Sequence, residues 1–215
     1  SPDGARVVAV RGPRIAYEEA LTQGVPRGSV DLVWVPSAGG EATVITPVAG
    51  LNAPHFIRGS DRIYATQAGS GLVSMRWDGT DRREHVQVRG ASPGGGQGPA
   101  ASMILMAPEG DQAMALVGNQ LYVVTVPYGV GADAPTISVA NPSSAAFPAE
   151  QLTDIGAQFP AWGANGEEVH WALGNAHFVY DLEDAQAFAD SVDAARAAED
   201  EADEEEESEE EEDRK

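Results

Sequence analysis

The chain has 215 residues, 42% of them hydrophobic, with 24 glycines, 14 prolines, no cysteine and a formal net charge of −21. So acidic a balance excludes the basic face that phosphate binding needs and works against anionic membrane surfaces, so neither nucleic acid nor membrane insertion is expected. The absence of cysteine removes disulfides and thiolate metal sites, and no apolar run is long enough to span a bilayer.

The chain begins with a turn, Ser1-Pro2-Asp3-Gly4, that runs directly into the β-branched stretch from Arg6 to Val10. Strands are then predicted at 32–36 and 42–46 around Gly39-Gly40, and at 72–77 and 84–88 around Asp78-Gly79. Further strands follow at 120–126 and 176–181. All are short β-branched or aromatic runs bounded by Gly, Pro, Asp and Asn, and Asp-Gly and Gly-Gly supply the positive φ of tight hairpins. The stretches at 69–72 and 92–100 read as loops.

The opening pattern returns. "SPDGARVVAV", "IRGSDRIYAT", "APEGDQAMALV" and "GANGEEVHWAL" align on Arg6, Arg62, Gln112 and Glu168, at spacings of 56, 50 and 56 residues. A period near 50 residues with three or four strands per unit is the pattern of β-propeller blades, which stack because one twisted sheet cannot bury both its faces. The expected fold is all-β: about four blade units over 1–182, forming a partial or incomplete ring. Trp34, Phe56, Tyr64, Trp77, Tyr122, Phe159, Trp162 and Trp171 lie on or beside these strands and are expected to pack between blades. The abrupt start reads as one copy of a repeated unit with others before it.

After 182 the β pattern ends. Residues 183–198 are Ala-rich and helix-favouring, with Ala187, Phe188, Val192 and Ala195 as an apolar stripe and Asp181 or Asp184 as N-cap. Residues 199–215 hold 13 acidic and 2 basic side chains, a net of −11 that leaves −10 for the rest. Such a block repels itself and is expected to be a solvated, disordered tail or linker.

With these motifs in hand, "SPDGARVVAV" and "LVWVPSAGGEATVIT" resemble the WD-like PD repeats of TolB-like propellers. "GLVSMRWDGTDRREHVQV", "NQLYVVTVP" and above all the stretch 150–182 resemble the propeller region of bacterial amidohydrolase-related proteins. The resemblance covers roughly 1–190. It implies a non-catalytic propeller that scaffolds a metal-dependent C–N hydrolase and shapes substrate access to it. Zinc or another divalent metal would belong to that companion domain or chain, and a periplasmic or secreted location is implied. The alternative is a stand-alone extracytoplasmic propeller that binds protein or peptide. Self-association through exposed blade faces is a further expectation.

No catalytic residue is assigned, and no cofactor is expected in this chain. The four histidines are His55, His85, His170 and His177; none forms the His-x-His pair of such hydrolases, and the sole lysine is Lys215. His170 and His177 are the metal candidates, as a cross-strand pair with Glu167 or Glu168 nearby. The favoured reading is a strand histidine and a turn-proximal one with hydrogen-bond partners, because a metal needs three or four converging ligands. The segments "NAPHF" and "QFPAW" occupy matching places, and His55 in the first and Trp162 in the second are the channel or interface candidates, with an architectural role favoured. No G-x-S-x-G elbow and no P-loop is present.

Overall fold

The computed structural model describes residues 1–13, 30–92, 94, 96–127, 133–192 and 194–196. They form four small sheets and a helix. The first sheet is a meander of β1 (Arg6–Arg11), β2 (Asp31–Pro36) and β3 (Thr43–Pro47). The second runs through β4 (Leu51–His55), β5 (Ile63–Gln67), β6 (Gly71–Met75) and β7 (Arg83–Arg89). The third contains β8 (Met103–Met106), β9 (Gln112–Val117) and β10 (Gln120–Thr125). The chain then returns to the second sheet, where β11 (Thr136–Ser138) lies parallel to β7, before β12 (Ala149–Gln151) completes the third. The fourth sheet is β13 (Gln158–Trp162), β14 (Glu168–Leu173) and β15 (Ala176–Asp181).

Two sequence boundaries need correction. The strand expected at 72–77 ends at Met75, because Arg76 N–H donates to Thr80 O and Gly79 N–H to Arg76 O, closing a turn that holds Trp77. The loop expected at 69–72 is shorter, since Gly71 and Leu72 already pair with Gln67 and Thr66 as the start of β6. The helix begins at 182 and is described to 192 and over 194–196; the tail 199–215, with 197 and 198, lies outside the described residues. Asp181 is its cap, with Oδ1 accepting from the N–H groups of Glu183 and Asp184 at 3.0 Å each.

The sheets stack in chain order through three apolar layers. Leu32 and Ile45 of the first meet Leu51, Ile63, Ala65, Val73 and Met75 of the second, with Val8 and Trp34 alongside. Leu72, Val86 and Val88 of the second meet Ile104, Met106, Ala113, Ala115 and Val117 of the third. Met114, Leu121 and Val123 of the third meet Val169 and Trp171 of the fourth. Each large side chain fully removed from water here contributes about 1.5–3 kcal/mol, so these layers are what hold sheets of three or four strands together.

The repeat alignment predicts which face each residue takes. The four turn-and-strand units fall one to a sheet, in β1, β5, β9 and β14. One residue past the aligned position stand Val7, Ile63, Ala113 and Val169, and three past it Ala9, Ala65, Ala115 and Trp171. In the second, third and fourth sheets these point at the preceding sheet. The intervening Val8, Tyr64 and Met114 point at the following one. Period-two alternation thus gives all four sheets one orientation in the stack.

Candidate functional site

Sequence chemistry concentrates where the second sheet meets the third. His55 closes β4 and lies half-buried against β8. Its Nδ1–H donates to Ala53 O at 2.9 Å, and its Nε2 accepts from the Met106 backbone N–H at 3.0 Å. Those two bonds fix a single neutral tautomer. Burial pulls its pKa down from 6.5 to about 4, the bond to Ala53 opposing this only in part. Next to it Thr66 Oγ donates to Ile104 O at 3.0 Å while accepting from Ile104 N–H at 2.7 Å. Side chains of the second sheet thereby satisfy the inner edge strand of the third.

The Tyr64 ring lies between two imidazoles, 5.9 Å from His55 and 5.4 Å from His85. His85 Nε2 is 2.8 Å from Ser74 Oγ, which also accepts from Arg62 Nε at 2.8 Å. Arg62 continues to the Asp81 carboxylate at 2.7 Å and to its backbone oxygen. Hydrogen bonds from Arg62 and then Arg83 hold the Asp81 carboxyl below the usual carboxylate range. Burial, followed by the charges of Arg62 and Arg83, lowers the His85 pKa. A serine beside a histidine suggests nucleophilic chemistry, yet Ser74 is fully enclosed at 0% exposure and meets no solvent. Its position joins β5, β6 and β7. Sequence reasoning picked out Arg62 only as a repeat marker and missed Ser74 and Asp81, since nothing local distinguishes a buried strand serine from an exposed one.

Trp162, at the end of β13, donates its indole N–H to Leu105 O at 2.8 Å and so ties the fourth sheet to the third. Its counterpart in the second unit is Phe56, just past β4, which stacks on Trp77 at 5.5 Å. Trp77 and Trp34 in turn flank the Arg6 guanidinium at 4.7 and 4.8 Å, a cation–π contact across the first and second sheets.

His170 and His177 lie on the other face of the fourth sheet. Their rings stack at 5.4 Å, with His170 Nδ1 3.3 Å from His177 Nε2. Glu168 Oε2 approaches the opposite edge of the His170 ring, 3.2 Å from Nε2. The three groups form a chain through one imidazole rather than converging on a point. Among the described residues no group of three or more His, Cys, Asp or Glu is placed to hold a metal. An open depression of about 640 Å³ between the β4–β5 and β8–β9 turns is lined by Arg58, Glu109 and Asp111. Arg58 is already engaged there, with Glu109 and with Ala164 O.

The fold and these contacts define a protein of stacked, mainly antiparallel sheets whose polar side chains bridge one sheet to the next. No protein-family model matches the chain, and no curated protein matches it. Among solved structures it is similar to an oligogalacturonate lyase in complex with manganese, at 14% identity and a TM-score of 0.49. The match covers 84% of this chain and 48% of that one, so the chain spans about half the length of the lyase. A likeness of this size assigns no activity. Among the described residues no helix is long and apolar enough to cross a membrane.

Proposed function

We propose that this chain is a non-catalytic β-propeller portion that scaffolds a metal-dependent C–N hydrolase and shapes substrate access to it. The observation that carries the scaffold reading is the common orientation of the four sheets, each presenting the same face to its successor. His55, Thr66, Ser74, Arg62 and Trp162 spend their hydrogen-bonding capacity on holding strands and sheets together. The hydrolase part of the reading, with its divalent metal and an extracytoplasmic setting, rests on the resemblance over residues 150–182.

The test is an assay of the purified chain on amide substrates with zinc or manganese, alone and with a metal-dependent C–N hydrolase encoded beside it. Alone it gives no turnover; added to the hydrolase it changes KM. Metal-dependent turnover by the isolated chain, lost in His170→Ala, overturns the reading. An unchanged KM with tight peptide binding replaces the hydrolase partner with a protein one.

A further inference from the structure

His170 of β14 and His177 of β15 stand diagonally across one pair of strands, on one face of the fourth sheet. His177 is directly opposite Ala172, and His170 lies between Ala161 of β13 and Val179 of β15. None of these neighbours carries a polar side chain. Ala161, His177 and Val179 are exposed, so the space over the two rings is open to solvent.

The Glu168 carboxylate decides which nitrogen of His170 is free. Its Oε2 accepts from Nε2–H at 3.2 Å, which leaves the Nδ1 lone pair facing His177 Nε2, 3.3 Å away. A histidine that donates one N–H to a carboxylate and offers its other nitrogen outward is the arrangement that fixes ring and tautomer for a metal. The spacing suits that purpose. Two imidazole nitrogens on one tetrahedral ion, each bonded to it, stand roughly 3.3 Å apart. The other two histidines are committed elsewhere. His55 has both ring nitrogens bonded to backbone, and His85 Nε2 lies against Ser74 Oγ.

We infer that His170 Nδ1 and His177 Nε2 together bind a divalent transition-metal ion of the kind that favours imidazole, with Glu168 as a positioning residue and water in the remaining positions. Cu2+ is held most tightly, ahead of Ni2+ and Zn2+. The rings turn out of their head-on contact so that both lone pairs meet the ion. His177 stays neutral, giving up the Nε2 proton that it shares with His170 and carrying one on Nδ1 instead. The ion ties β15 to β14, its partner strand in the sheet. Binding of this kind involves no turnover, so it stands or falls separately from the scaffold reading.

Calorimetric titration of the full chain with Cu2+, joined to electron paramagnetic resonance of the complex, tests it. The expected result is one ion per chain with two coordinated nitrogens, and a urea midpoint that the ion raises. His170→Ala and His177→Ala each lose this site and the added stability, keeping only the weak, nitrogen-free binding of acidic side chains. Glu168→Ala keeps both nitrogens and binds about 10–100-fold more weakly. Far-UV circular dichroism shows that the three variants keep the fold. A parent spectrum without nitrogen coupling, a histidine variant that binds as the parent does, or full affinity in Glu168→Ala overturns the proposal.

Discussion

Ala53 and Phe159 share a backbone conformation, with φ of 48° and 51°, and each stands immediately before a proline. They occupy the first strands of the second and fourth sheets, β4 and β13. In each case they fall where the pairing slips, between Asn52 and His55 and between Gln158 and Ala161. The proline removes a donor and the preceding residue turns left-handed, so the strand bulges and aims its last aromatic or imidazole at the neighbouring sheet. His55 and Trp162 reach the third sheet by this device, from opposite sides of it.

Left-handed φ costs a side-chain-bearing residue about 1–2 kcal/mol, and glycine adopts it freely at an entropic cost of roughly 0.5–1 kcal/mol. Phe159 is 86% exposed, so little packing is lost on removing its ring. Phe159→Gly is therefore expected to stabilise the protein by about 0.5 kcal/mol, read as a higher urea midpoint with an unchanged slope. A lower midpoint means the ring contributes more than the strain it imposes.

His55 makes the protein sensitive to acid. Its pKa is about 4 when folded, against 6.5 for an unhindered histidine, so between those values the unfolded chain binds the extra proton. Stability consequently rises with pH across that window and is lost as pH falls from 6.5 towards 4. The loss from this one group reaches about 3 kcal/mol. His55→Phe removes that contribution to the slope while leaving the Met106 N–H without its acceptor, at a cost of about 1–3 kcal/mol. Urea midpoints measured from pH 7 to 4 check both effects. An unaltered slope in the variant assigns the acid sensitivity to another group.

The Ser74 hydroxyl is the hinge of the Arg62–His85 network. Ser74→Ala leaves Arg62 Nε and His85 Nε2 without this partner in a largely enclosed place, and is expected to destabilise by about 1–2 kcal/mol. The His85 imidazole should also lose its single fixed hydrogen-bond environment, visible as broadening of its ring proton resonances. Retention of both stability and sharp lines would show that Arg62 and Asp81 alone order this corner.

Much of the stack was legible in the sequence because period-two alternation and turn chemistry are local. Arg6, Arg62, Gln112 and Glu168 mark the strand starts, and the apolar residues after them point where alternation requires. Asp181 was recognisable as one of two possible caps for the same reason. What stayed hidden depends on distant partners. The three-residue strands β11 and β12 are defined by β7 and β10, not by their own composition. Ser74 matters only through Arg62 and His85. The pairing of His170 with His177 was visible as spacing, but the approach of Glu168 from the far side of the ring was not.

Glycine positions separate close approach from simple turn geometry. Gly79 has φ of 77°, and a Cβ there would lie 2.2 Å from Ile45 O of β3, so the β6–β7 turn is pressed against the first sheet. Gly174, in the β14–β15 turn, has φ of 62° with nothing within 4 Å of the added atom. Gly174→Ala therefore meets only the left-handed strain, about 1 kcal/mol. Gly79→Ala meets that strain and forces two backbones apart, for a total on the order of 3 kcal/mol. Because the second clash lies between sheets, its effect should reach the Arg6–Trp34–Trp77 cluster, and tryptophan fluorescence should shift to the red in Gly79→Ala alone. Equal losses in the two variants, with no fluorescence shift in either, would mean that the first sheet yields at Ile45 without disturbing its contact with the second.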